Sequence, residues 1–158
     1  MIAVTQSVTI AAPKASVFAL LDDVTTTPRW LPRCVRVEAG PPLQYYLREG
    51  GGHVGVWQGT VTARAPNDHL TLVLAHKLAE VCVEQTLATT NEGTVLTCSI
   101  RVAPRSLAGK LMTPLIRKHL PTVIAKATAN LKALCEAPQE RATTAAQHGA
   151  RDARLAVG

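Results

Sequence analysis

A chain of 158 residues with 47% hydrophobic and 18% charged residues has the length for one domain with a sizeable core, and it is too apolar to remain unfolded. No apolar run approaches the roughly 18 to 20 residues of a membrane span, and Met1 to Ile10 lacks the basic and continuously apolar segments of a secretory leader, so a cytoplasmic protein is expected. The net charge of +6 lies wholly from Pro104 onward, where nine Lys/Arg stand against three acidic residues.

Residues 2–10 alternate apolar and polar side chains, the period of a half-buried strand. Ala12-Pro13 ends it and opens a short helix whose stripe is Val17, Leu20 and Leu21, with Phe18 alongside. Thr25-Thr26-Thr27-Pro28 caps a second short helix carrying Trp30 and Leu31, which Pro32 stops. Strands follow at 34–39, 43–48, 53–64, 69–77, 80–89 and 94–102, separated by turns rich in Gly, Pro, Asn and Asp. Connections this short forbid helical crossovers, so the sheet is antiparallel. Residues 104–111 suit a separate helical turn or two leading in, Thr113-Pro114 then offers a cap, and Ile116, Leu120, Val123, Ile124, Ala127, Leu131 and Leu134 share one face of a long helix. Pro121 should kink it. Residues 137–158 are alanine-rich, basic and without apolar periodicity, which predicts a disordered tail beyond a single domain over 1–136.

The expected class is α+β: seven antiparallel strands covered on one face by the long C-terminal helix, with two short helices between the first two strands. Strand parity names the covered face. It carries Leu70, Leu72, Leu74 and His76, then Val81, Val83, Gln85 and Leu87, then Leu96, Cys98, Ile100 and Val102. An aliphatic wall interrupted by few polar atoms is the composition of a small-molecule site. The candidate lining is Trp30, Trp57, Leu72, Leu74, His76, Val83, Gln85, Leu96, Cys98, Ile100, Leu120 and Ile124. Ordinary core packing, with Gln85 and His76 satisfied by backbone or water, is the competing interpretation.

No nucleophile, base and orienter are found together. His76 is the best candidate for a general acid or base, with Arg64, Tyr45 or Gln85 as orienters. The cysteines Cys34, Cys82, Cys98 and Cys135 lack metal or redox spacing and read as buried thiols. His69 and His76 fall on opposite faces of one strand, Gly50-Gly51-Gly52 lacks the helix and lysine of a phosphate loop, and the basic residues have no aromatic stacking partners. No metal, cofactor or nucleic-acid partner is expected. The basic C-terminal segment is a solvated helix face and tail, or else a surface for an acidic protein or an anionic membrane.

The stretch Ile10-Ala11-Ala12-Pro13, Val17-Phe18, Leu21-Asp22 and Trp30 with Pro32 resembles the opening of the SRPBCC superfamily, the START and polyketide-cyclase-like domains. Trp57-x-Gly59-x-Val61 with Ala65-Pro66 and Leu70, Gly93-Thr94-x-Leu96-Thr97, and Asn130 to Glu136 are similar to its central hairpin, last strand and closing helix. The resemblance implies a helix-grip fold around a cavity for hydrophobic ligands such as lipids, fatty acids, sterols or polyketides. It does not settle the activity, since one fold hosts many; the aliphatic inner face and the missing set of nucleophile, base and orienter favour noncatalytic binding or carriage of a lipid, fatty acid or polyketide-like molecule first and a cyclase or dehydratase second.

Overall fold

The computed structural model describes residues 1–137 in full apart from Gly50, and 138–157 by their backbone path only. The expectation of a disordered tail over 137–158 therefore falls, past Ala137, outside the fully described residues. Strand β1 (Ile2–Ile10) leads through α1 (Lys14–Asp22), a 3-10 turn and α2 (Thr27–Trp30) into six strands: β2 (Cys34–Glu38), β3 (Leu43–Arg48), β4 (Val54–Ala65), β5 (His69–Ala75), β6 (Ala79–Thr90) and β7 (Gly93–Pro104). Helix α3 follows, Leu107–Val157. The seven strands form one sheet in the order β1-β7-β6-β5-β4-β3-β2, every neighbouring pair antiparallel. This is the helix-grip arrangement, with β1 returning to pair with the last strand and so bringing both chain halves under α3.

The two faces of the sheet differ as the alternation requires. Leu70, Leu74, Gln85, Leu87, Leu96, Cys98, Ile100 and Val102 are all buried on the face beneath the helix. The opposite face carries hydroxyl pairs between β1 and β7, Thr5 with Ser99 at 3.2 Å and Ser7 with Thr97 at 3.0 Å, the polar cross-strand contacts suited to a solvated face. Residues Ile10, Val17, Leu96 and Leu131 are the most completely buried large apolar side chains, and they join α1, β1, β7 and α3 into one cluster with Leu21, Leu70 and Leu87. Farther along, Lys132 Nζ donates to the Thr9 carbonyl at 2.8 Å and to Glu136 at 2.8 Å, while the Ala11 N–H donates to Glu136 at 3.0 Å. These bonds fasten α3 to the end of β1.

Helix α3 begins earlier than Thr113-Pro114 suggests. The Ser106 hydroxyl accepts the Gly109 N–H at 3.1 Å, the side-chain bond of an N-cap three residues ahead. Gly109 is buried because its turn lies directly on the Leu78 carbonyl, where a Cβ would overlap backbone. The same carbonyl accepts the Arg105 N–H at 2.9 Å. The helix continues through Pro121, which is on the exposed side, where a carbonyl released from the ladder can bind water. Its opening turns leave Leu107, Leu111 and Leu115 exposed at 74%, 75% and 54%. Their i, i+4, i+8 spacing makes one uncovered apolar edge. Among the described residues no helix is long and apolar enough to cross a membrane.

Candidate functional site

Between the sheet and α3 lies a cavity of about 70 Å³. Its floor is Leu70, Leu72 and Leu74 of β5, Val83 and Gln85 of β6, and Cys98 and Ile100 of β7, with Tyr45 and Val61 at one side. Ile124, Ala127, Thr128 and Leu131 of α3 roof it, and Leu21, Val24, Thr27, Trp30 and Leu31 close one end. Alternation along three neighbouring strands places the floor residues on one face, and the helical stripe of α3 supplies the roof. Gly59 of β4 is pinned beneath the Tyr45 ring, with a Cβ position only 2.6 Å from a ring carbon. Its lack of a side chain lets Tyr45 lie flat enough to enter the wall. The space holds about two waters at the liquid volume of ~30 Å³ each, whereas drug-sized ligands occupy sites of roughly 300 to 1,000 Å³. A long ligand therefore requires the end wall or the roof to move outward.

The polar groups on this wall are few, and burial keeps them neutral. Tyr45 is 2% exposed, and desolvation, aided by Cys34, pushes its phenol up to about 12 against a hydrogen bond from Thr27. Burial raises the Cys98 thiol to about 11, so it is protonated and not nucleophilic near neutrality. The Gln85 side chain is 6% exposed and opens on the cavity from β6. The Thr128 hydroxyl is occupied by its own helix, donating to the carbonyls of Ile124 and Ala125 at 3.1 and 3.0 Å. The Trp30 indole N–H is buried without a hydrogen-bond partner. An indole can only donate.

Of the residues chosen from sequence, Trp30, Leu72, Leu74, Val83, Gln85, Cys98, Ile100 and Ile124 line this cavity. Leu96 lies behind it, 0% exposed in the cluster with Ile10 and Leu131. Leu120 is partly buried against Ile100, Val102 and Ile124. His76 and Trp57 stand together away from the lining: their rings stack at 4.7 Å with an interplanar angle of 22°. The Leu78 N–H donates to His76 Nδ1 at 3.3 Å, which leaves the ring proton on Nε2, 4.0 Å from Glu49 Oε1. Glu49 Oε1 and Trp57 Nε1 are buried without partners. This group has the elements of an acid and base pair, but it does not open on the cavity wall. Arg64 is engaged elsewhere, donating from Nε and Nη2 to the two Asp22 carboxylate oxygens at 2.8 Å each. That pairing holds the Asp22 carboxyl below its ordinary value and ties β4 to α1.

Lining residues that sequence reasoning left out come mainly from the short helical segment, Val24, Thr27 and Leu31, and from α3, Thr128 and Leu131. Leu131 and Ala127 belong to the recognised apolar stripe, so the signal was present. The segment around Thr27 is too short for periodicity to orient it.

The buried thiol has a consequence for pH dependence. Because the folded Cys98 and Tyr45 values, like those of Cys34 and Cys135, lie above their ordinary ones, their neutral forms contribute stability that is complete below about pH 8 and is lost as pH rises through about 9 to 12. Thermal melts should therefore fall steeply over that interval, and replacing Cys98 by Ala should flatten the fall. An unchanged alkaline slope in the variant would contradict it.

The family model described as polyketide cyclase / dehydrase and lipid transport matches residues 1–136. No curated protein sequence matches the chain. Among solved structures, the protein of unknown function SA2116 from Staphylococcus aureus superposes with a TM-score of 0.70 at 10% identity, covering 88% of this chain and 96% of the other. The di-domain ARO/CYC proteins StfQ, from the steffimycin biosynthetic pathway, and BexL, from the BE-7585A pathway, superpose with TM-scores of 0.68 and 0.67 at 14% and 18% identity. They cover 89% and 85% of this chain, which corresponds to 51% and 50% of theirs. At such identities the superpositions establish a shared fold, while the match over residues 1–136 establishes membership: the chain belongs to the polyketide cyclase / dehydrase and lipid transport family of the SRPBCC superfamily.

Proposed function

We propose that the protein binds and carries a hydrophobic small molecule of lipid, fatty-acid or polyketide-like chemistry between the sheet and α3. The observation that supports this most is the wall itself: aliphatic on floor and roof, interrupted by neutral Gln85, Tyr45, Thr27 and Cys98 and by the unpartnered Trp30 indole. Each methylene transferred into such surroundings contributes about 0.8 kcal/mol. A chain of about ten methylenes supplies ~8 kcal/mol, which corresponds to a micromolar dissociation constant before the cost of opening the cavity is subtracted. A cyclase or dehydratase reaction has weaker support, because no group on the wall is an acid or base poised near neutral pH and His76 faces Glu49 instead. The binding interpretation is tested by titrating a Trp57→Phe variant, in which Trp30 is the remaining indole, with methyl dodecanoate. A saturable change in Trp30 emission is expected. Absence of saturation up to the solubility limit would remove the proposal.

A second role is favoured by the uncovered edge Leu107, Leu111 and Leu115. Lys110, Arg117 and Lys118 flank it, and no acidic residue occurs from Leu107 to Cys135. We propose that this edge rests on an anionic lipid surface, where apolar burial and charge attraction act together. The chain should co-sediment with vesicles containing phosphatidylserine at low salt, and Leu111→Ser with Leu115→Ser should abolish this. Equal sedimentation of the variant, or self-association of the wild type in place of vesicle binding, would refute it.

A further inference from the structure

A second depression, a cleft of about 580 Å³, lies on the outer side of the end wall. It draws Arg29 from α2, Arg33 from the link into β2, Arg48 from the end of β3 and Lys126 from α3. No acidic side chain lines it. Some other cations of the chain have acidic partners, such as Lys14 with Asp68, Arg64 with Asp22, Arg101 with Glu84 and Lys132 with Glu136, while Lys77, Arg105, Lys110, Arg117 and Lys118 stand unpaired among the described residues but apart from this cleft. Among the described residues none of the four cleft cations is within ion-pair distance of a carboxylate. Four like charges gathered in a concavity raise the potential there, and an anion relieves their mutual repulsion.

The backbone beneath them is held in place. Arg33 adopts φ 72°, a left-handed conformation uncommon outside glycine and asparagine, and its carbonyl accepts the Arg48 N–H at 2.7 Å. Asn130 of α3 donates to the Trp30 carbonyl at 3.0 Å. Trp30 and Leu31 belong to both walls, that of the apolar cavity and that of the cleft. Trp30 and Leu31 therefore separate an aliphatic chamber from a cationic one.

We propose that the cleft is an anion subsite that takes the carboxylate or phosphate group of an amphipathic ligand whose apolar chain passes the Trp30 and Leu31 partition into the cavity. This deepens the binding function proposed above and rests on it. Guanidinium groups pair with both anions through paired N–H donors, and the chain length beyond the headgroup is what the cavity reads.

The test compares dodecanoate, dodecyl phosphate, methyl dodecanoate and inorganic phosphate by calorimetry on the full chain. The controls are Arg33→Asn, which suits the left-handed backbone, and Arg48→Gln, with circular dichroism to verify folding. At least one of the two anionic amphiphiles should bind about tenfold or more tighter than the ester. That advantage should shrink with added salt and disappear in the double variant, while ester affinity stays unchanged. Which anion gains more identifies the headgroup. Equal affinity for acids and ester, loss of ester binding in the double variant, or inorganic phosphate binding as tightly as dodecyl phosphate would overturn the subsite. Failure of the ester to bind at all would instead strike the cavity function itself.

Discussion

Leu131→Ala is expected to destabilise the protein by about 3 to 4 kcal/mol, within the range for large-to-small changes in a packed core. Leu131 is 2% exposed, packs with Ile10, Leu70 and Leu96 and roofs the cavity. Truncation there enlarges an existing void that its neighbours have not closed, so little of the loss is recovered by collapse. On the scale of 2 to 8 °C per kcal/mol for domains of this general size, the melting temperature should drop by roughly 10 °C. The same change should improve the fit of an apolar ligand, because a dry void lined by aliphatic groups binds apolar guests. Methyl dodecanoate should therefore raise the melting temperature of the variant more than that of the wild type. A loss below ~1 kcal/mol, or no differential rescue, would mean that Leu131 does not pack as the structure shows.

Gly109→Val should be at least as disruptive, on the order of 3 kcal/mol. A Cβ at this position meets the Leu78 carbonyl, which is backbone and cannot swing away. Relief requires lifting the first turn of α3 from the β5 to β6 connection and breaking the Ser106 cap and the Arg105 to Leu78 bond. Urea denaturation is the measurement. The neighbouring Ala108→Val, on the exposed side, is the control and should cost a few tenths of a kcal/mol through helix propensity. Equal midpoints for the two variants would contradict the close approach.

Much of the sheet could be inferred from the sequence because period-2 alternation is sharp where one face is buried. Gln85 and Cys98 were placed on the inner face by parity, and the structure puts them on the cavity wall. His76 shares that parity, yet it lies one residue beyond the end of β5, where Trp57 and the Leu78 N–H hold the ring. Parity states which face a residue shares, not how far along the strand a cavity extends. The helical turns before Thr113-Pro114 are continuous with α3 instead of separate from it, and this is hard to read in the sequence because those turns expose their leucines and add nothing to the buried stripe. The cationic cleft is invisible for a different reason: Arg29, Arg33, Arg48 and Lys126 come from α2, the link after it, β3 and α3, and only the tertiary structure assembles them.

The central claim is that an apolar ligand enters the space between the sheet and α3. Methyl-resolved NMR of the full chain titrated with methyl dodecanoate tests it most directly, since Leu72, Val83, Ile100, Ile124 and Leu131 each carry a reporter on the wall. Saturable shifts concentrated on those methyls, with exposed Val54 and Val56 unaffected, are predicted. Saturation with shifts confined to the surface methyls, or no saturable shift anywhere, would contradict it.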